Sequence, residues 1–318
     1  MRPGDPFVPF LPVGGQAVVE GVMMRSPSSM AVAVRRADGS IAMMERPFVS
    51  ITRRHRILGW PFVRGAVSLF ETLYLGMSAL QFSADEASKD EAGTPAVGGV
   101  VHGLIQTLTM IFALGLGILL FVVLPAKITE WLGFRERLAF GLVDGFFRLL
   151  AFMLYLLLIS QWKEMARVLG YHGAEHKAIH ALENRAPLTP ESVQGFSRFH
   201  PRCGTSFLFL VVVVSIVAFT FIGKPRGIGD HLLRVACMPV IVGVAFEFIR
   251  LSGKYANRPL VRALIWPGLQ FQRLTTREPD LTMCEVAIAA LDRVRSDELV
   301  RRLETATVDI CSDVAFIQ

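Results

Sequence analysis

Three histidines fall within nine residues, in the stretch His172-Gly173-Ala174-Glu175-His176-Lys177-Ala178-Ile179-His180, whose alanines favour a helix. Residues four apart on a helix stand about 6 Å apart along its axis on nearly one face, an arrangement that lets two imidazoles share an ion. The same rise puts His172 and His180 about 12 Å apart, so an undistorted helix does not bring all three to one ion. Either His172 with His176 or His176 with His180 forms the pair, and further ligands come from elsewhere. The order His172-x-x-Glu175-His176 is the H-x-x-E-H order in which two histidines hold Zn²⁺ and the glutamate handles the proton of the attacking water. Five residues in that order are weakly specific by themselves. His200 and Cys203 follow at metal-type spacing, and Glu183 stands three residues beyond His180. Cys203 opens an apolar run, where a helix N-terminus favours a thiolate, although a buried structural thiol is the plainer reading of Cys203 alone.

The composition says what kind of molecule must position these groups. Of 318 residues, 52% are hydrophobic and 19% charged, and the mean hydropathy is +0.47. A soluble globular domain has about 45–50% apolar and about 25% charged residues, so a plain soluble enzyme is unlike this chain. Disorder, collagen-like repeats and a disulfide scaffold are excluded by the apolar content and by only 4 cysteines.

Crossing about 30 Å of hydrocarbon takes around 20 mostly apolar residues. Four runs meet this: Val101 to Pro125, Leu138 to Ser160, Thr205 to Gly223 and Leu232 to Leu251. A fifth stretch, Pro61 to Phe82, carries Arg64, Glu71 and Gln81 and reads better as an interfacial or buried helix. With four spans, 25 of the 33 Lys and Arg residues lie in segments 1–99, 161–204 and 252–318, against 5 in the short loops 126–137 and 224–231. The positive-inside rule then places both termini and the histidine segment on the cytoplasmic side of a multi-pass membrane protein. A fifth span would spoil that asymmetry. The net charge of +6 thus records orientation, and no nucleic-acid partner is expected. Cysteines on the cytoplasmic side should be reduced.

The expected fold class is an α-helical membrane protein of about four transmembrane helices, with a small cytoplasmic β-rich N-terminal module and a helical cytoplasmic C-terminal tail. Residues 1–60 form the β module, where two strand-like runs flank Asp38-Gly39, a hairpin signal. Residues 61–99 form an amphipathic helix and an acidic connection, with Ser83 to Gly99 exposed. The first transmembrane pair occupies 100–160, the His-rich helix and loop 161–204, and the second pair 205–251. In the interfacial segment and tail, 252–318, Pro259 and Pro267 should separate short amphipathic pieces, and Thr282-Met283-Cys284-Glu285 has capping-box form. Asp144 and Arg148, four apart within a span, read as an intrahelical ion pair. Glu247, about one turn from the cytoplasmic end of the fourth span, reads as a partner of Arg250 or Lys254 or as an additional ligand.

Four blocks also resemble the bacterial YqhQ-like membrane proteins, a family of unknown function described as metal-dependent enzymes. They run Gly14-Gly15-Gln16-Ala17-Val18-Val19-Glu20-Gly21-Val22-Met23-Met24-Arg25, Tyr171 to His180, His200-Pro201-Arg202-Cys203-Gly204-Thr205-Ser206-Phe207-Leu208, and Gln272-Arg273-Leu274-Thr275-Thr276-Arg277-Glu278-Pro279-Asp280. The resemblance implies one site shared by the two His-bearing blocks, with Glu20 and Arg25 of the first block as contributors. The expected function is metal-dependent hydrolysis at the cytoplasmic membrane face. His172, His176, His180, His200 and Cys203 are the candidate ligands of a divalent ion, Zn²⁺ first. Glu175 is the general base, and Glu20, Arg25, Glu183 and Glu247 are further candidates. The rival readings are a non-enzymatic scaffold or assembly factor and a transporter. The lipid bilayer, and a second copy or another membrane protein, are the expected partners; the substrate is open.

Overall fold

The computed structural model of the chain describes residues 13–88, 99–201, 203–223, 225, 227–255 and 258–296. It begins with a four-stranded antiparallel meander, β1 (Gly14–Val18), β2 (Gly21–Arg25), β3 (Ser29–Arg35) and β4 (Ile41–Pro47), in the order β1-β2-β3-β4. Strand alternation sorts its side chains onto two faces. Val22, Met24, Ala31 and Ala33 point one way and Val18, Met23, Met30, Val32 and Val34 the other, and all are buried. The β3–β4 hairpin turns at Asp38-Gly39 as expected, with Gly39 at φ +84° and Asp38 Oδ1 accepting from Ser40 N at 2.8 Å.

After the sheet the described residues are mostly helical. Short turns α1 (Ile51–Arg54) and a 3-10 piece at Arg56–Gly59 lead into α2 (Val63–Ser88). Helix α3 (Gly99–Ile118) passes through a π turn at Leu119–Val123 into α4 (Leu124–Trp131), and α5 (Arg137–Ile159) returns. Helices α6 (Lys163–Glu183) and α7 (Pro190–Gln194) precede α8 (Gly204–Ile222). The chain closes with α9 (Ile228–Ala236), α10 (Met238–Lys254), α11 (Pro259–Thr275) and α12 over 281–296.

Four helical stretches are long and apolar enough to cross a membrane: Gly103–Trp131, Arg137–Ile159, Gly204–Ile222 and Ile228–Leu251. The first runs past Pro125, where the sequence suggested an end. Pro125 sits in the first turn of α4, just after the π turn, where its missing N–H breaks no α-helical ladder. Helices α5 and α8 meet through Gly141 and Gly145, positions at which a Cβ would run into Thr220 and Ile216. Small residues four apart let helix backbones approach in this way. Asp144 and Arg148 form the expected pair at 3.1 Å. Arg234 adds a second cation 3.6 Å from the same carboxylate, and both guanidinium groups lie over the Phe219 ring.

The sheet is packed between helices on both faces. Helix α2 covers one face through Leu75 and Ala79. Helices α6 and α12 cover the other, through Tyr171, Ala174 and Ala178 on one side and Ala287, Leu291 and Val294 on the other. Three sequence expectations are corrected here. Residues 83–88, read as exposed connection, are the end of α2; Ser83 and Glu86 are buried, and Glu86 pairs with Arg36 at 2.7 Å, while 89–98 lie outside the described residues. Helix α11 is continuous through Pro267, with Pro259 in its first turn. Helix α12 starts ahead of Thr282 because the Asp280 carboxylate accepts from Met283 N at 2.8 Å, and Glu285 is drawn instead to Arg35.

Candidate metal centre

Helix α6 carries the histidines, and its fixed spacing decides which of them meet. His172 and His176 stack edge to face with ring centroids 4.4 Å apart, and Cys203 Sγ lies 3.3 Å from His172 Nε2. Ligand atoms of His172, His176 and Cys203 lie within 4.8 Å of one another. Zn–N bonds of 2.0–2.1 Å and Zn–S bonds of 2.3 Å at tetrahedral angles put donor atoms about 3.3–3.8 Å apart, so this set is close to binding geometry. His180 falls on the next turn, away from Cys203, and groups with Glu183 and His200. Of the two open pairings, His172 with His176 is the one that Cys203 joins. His200 bridges the two groups, 5.7 Å from the His176 ring and 4.7 Å from the His180 ring.

Backbone carbonyls aim the rings. His172 Nδ1 is 2.6 Å from the Thr275 carbonyl and His176 Nδ1 is 2.6 Å from that of Arg198. A carbonyl can only accept, so each Nδ1 carries its proton and each Nε2 is left to face the centre, the usual outer support of a metal-binding histidine. His180 is held the other way round, its Nε2 2.9 Å from the Phe199 carbonyl. His200 Nε2 lies 3.4 Å from Glu183 Oε1.

Charges at the centre oppose burial. Burial works against ionisation of Cys203, but the neighbouring His172 and His176 take its thiol well below the usual range. Burial likewise disfavours a charged His172, and the Cys203 thiolate, with Glu175, outweighs it and raises His172 to about 9. The directions of the two shifts favour an imidazolium facing a thiolate across the 3.3 Å contact, in the place a cation would take. Burial pushes Glu175 up from the ordinary carboxylate range, against the pull of His172 and His176, and lowers His200 to about 4. Glu175 Oε2 is buried without a hydrogen-bond partner, beside the triad. A soft thiolate, two imidazoles and an orphaned carboxylate fit a zinc-type cation.

Glu175 also explains the first block. Its carboxyl packs on β1, where a Cβ at Gly15 would lie 2.9 Å from Glu175 Cδ and 2.6 Å from the Met23 carbonyl. Glu20 stays at the β1–β2 turn, at φ +52°, and both its oxygens take the Arg167 guanidinium, with Tyr171 Oη 3.4 Å away. It braces the sheet on α6 and does not reach the triad. Arg25 stands over the Phe48 ring at 4.9 Å. Glu247 pairs with Arg64 at 2.7 Å, fixing α10 to the start of α2, a partner that the sequence did not suggest.

A cavity of about 620 Å³ adjoins the triad, and His172, Glu175, His176 and Cys203 all line it. Gln16 of β1, Leu69 and Thr72 of α2, Phe207 of α8 and Phe246 of α10 form much of its wall.

The fourth block supplies residues to which the sequence assigned no role. Gln272 is fully buried; its amide accepts from His200 N at 2.8 Å and donates to the His200 carbonyl at 2.7 Å and to Ser206 Oγ at 2.9 Å. Lys177, buried on α6, pairs with Glu278 and donates to the Gln194 carbonyl at 2.7 Å. Thr275 orients His172, and Arg198 donates to the Thr276 carbonyl at 2.6 Å. Only the clustering of polar residues in 272–280 hinted at this.

Comparison with known proteins places the chain in a family. Over 290 residues, covering 88% of this chain and 91% of the other, the sequence is 31% identical to the uncharacterized protein YqhQ of Bacillus subtilis (strain 168). No solved structure matches the chain. A family model described as "Protein of unknown function (DUF1385)" matches residues 60–297, and the chain belongs to that family.

Proposed function

We propose that this chain is a multi-pass protein of the bacterial cytoplasmic membrane, both termini in the cytoplasm, that performs metal-dependent hydrolysis at the cytoplasmic membrane face. The observation that carries the reading is the aim of His172 and His176. Each spends Nδ1 on a backbone carbonyl and turns Nε2 toward Cys203, with the unpartnered Glu175 oxygen alongside. His172, His176 and Cys203 would hold the ion. A divalent cation bound there supplies Lewis acidity to a carbonyl or phosphoryl oxygen and to water.

The chain's own groups do the rest. Glu175 accepts one proton of the attacking water as its oxygen bonds to the acyl carbon or phosphorus. It then gives that proton to the leaving oxygen or nitrogen as the old bond breaks, so a water is consumed and nothing is oxidised. Its burial suits both halves of that exchange. His180, Glu183 and His200 stand behind the triad, with His200 kept neutral by burial and by His176. The distribution of basic residues supports the orientation.

Metal analysis of the full chain purified in detergent tests the reading. One tightly bound ion per chain, lost in His176→Ala and kept in Glu175→Gln, is the expected result. Less than stoichiometric metal, unchanged by His176→Ala, would overturn the enzyme and favour a scaffold.

A further inference from the structure

We infer that the cavity beside the triad takes an anionic lipid drawn sideways from the bilayer, its apolar chain against α2, α8 and α10 and its headgroup charge on Arg25. This rests on the hydrolytic reading above and names its substrate class.

Three observations converge. First, the cavity is of ligand size and mostly apolar beyond the triad; Leu69, Phe207, Phe246 and Ile249 line it. A soluble polar substrate would gain little from such walls, whereas a hydrocarbon chain leaves lipid for an equivalent surface. Second, the lining reaches the outer surface at Leu73 of α2 and Leu208 of α8, which are 55% and 47% exposed. Leu208 is little more than one helical turn past Cys203, near the start of a helix apolar enough to cross a membrane. From Leu73 the outer face of α2 continues apolar through Phe70, Tyr74 and Met77, all exposed. An apolar face leading into an apolar cavity, at the head of a spanning helix, opens toward acyl chains and not toward water.

Third, one cation in the cavity wall makes no direct ion pair among the described residues. Arg25 lines the same cavity with its guanidinium over the Phe48 ring, and its counter-charge, Glu71, acts on it at a distance while its oxygens accept from Ser50 Oγ and Ile51 N. A half-buried guanidinium of this kind is matched by a phosphate or carboxylate. Arg25 and the triad border one cavity, so a headgroup on Arg25 leaves the ester linkage of the same lipid within the space that Glu175 lines. Hydrolysis there adds water across the ester, giving a carboxylic acid and an alcohol, with the proton carried by Glu175.

Photocrosslinking of the full chain in nanodiscs tests this. The probe is phosphatidylglycerol with a diazirine next to the acyl carbonyl. The expected adducts lie on Gln16 or Met23, cavity residues of the sheet that a lipid meets only by entering. Thr72→Trp, which fills the cavity, removes them, and unlabelled phosphatidylglycerol competes while glycerol 3-phosphate does not. Arg25→Gln lowers the preference for this probe over its phosphatidylcholine counterpart by about tenfold. His176→Ala keeps the adducts while losing the metal. Adducts confined to Leu73, Leu208 and other outer residues would overturn the lipid inference and leave the metal reading standing. So would equal competition by glycerol 3-phosphate, or adducts unmoved by Thr72→Trp in protein that still binds metal. Cavity adducts in a protein without bound metal would overturn the hydrolytic reading and leave a lipid-binding site.

Discussion

Cys203 Sγ lies 3.3 Å from Nε2 of His172, although 31 residues separate them in the chain. The contact joins the cap of α8 to the middle of α6, so a helix long and apolar enough to cross a membrane and the histidine helix are held at one point. The remainder of the centre is built around that point.

Metal content should follow the division of the histidines. His172→Ala and Cys203→Ser are expected to lower Zn²⁺ affinity by more than about tenfold, whereas His180→Ala, whose Nε2 is engaged by the Phe199 carbonyl, should retain one ion per chain. Elemental analysis after dialysis decides it; two ions per chain in the wild type would make the His180, Glu183 and His200 group a second site.

Acid should weaken metal binding. His172 is raised to about 9 by the Cys203 thiolate, so below that pH a bound cation must displace the His172 proton. Affinity is expected to rise about tenfold per pH unit from neutrality toward 9 and then to level off. Titration calorimetry in buffers of different ionisation enthalpy should show about one proton released per ion at neutral pH. No buffer dependence at all would mean that His172 and Cys203 are not the ligands.

Gly15→Ala and Gly14→Ala differ by one position and should differ in effect. A Cβ at Gly15 would lie 2.6 Å from the Met23 carbonyl and 2.9 Å from the Glu175 carboxyl, while at Gly14 nothing stands within 4 Å. Gly15→Ala is therefore expected to displace Glu175 and lower activity without removing the ion, and Gly14→Ala to leave both. Equal behaviour of the two variants contradicts the packing of Glu175 on β1.

Gln272→Leu should destabilise the fold around His200. It strips the partner from two buried backbone groups, at about 1–3 kcal/mol for each group left unpaired. Thermal unfolding in detergent should show a fall of several degrees, about 2–4 °C per kcal/mol for a chain of this size or somewhat less. An unchanged melting temperature would mean that water replaces the amide.

Orientation has its own test. A reporter fused after Asn184, at the end of α6, should be active on the cytoplasmic side. An extracytoplasmic signal would move the centre to the other face of the membrane.

The sequence by itself fixed what depends on local periodicity and composition. Four apolar runs long enough to cross a membrane are visible as runs, because span length follows from bilayer thickness. The Asp38-Gly39 hairpin is equally local, since it needs only a residue tolerant of positive φ. His172 and His176 could be paired on a shared helix face, yet His176 and His180 fit that rule as well. Tertiary structure broke the tie by bringing Cys203 beside one pair and the Phe199 carbonyl beside the other histidine. It also sent Glu247 to Arg64 and Glu20 to Arg167, ion pairs across 183 and 147 residues that no spacing rule encodes. Gln272 is the plainest case. Its type and position suggest nothing, and its role arises because α11 returns beside the start of α8 and leaves the backbone of His200 to be satisfied by one buried amide.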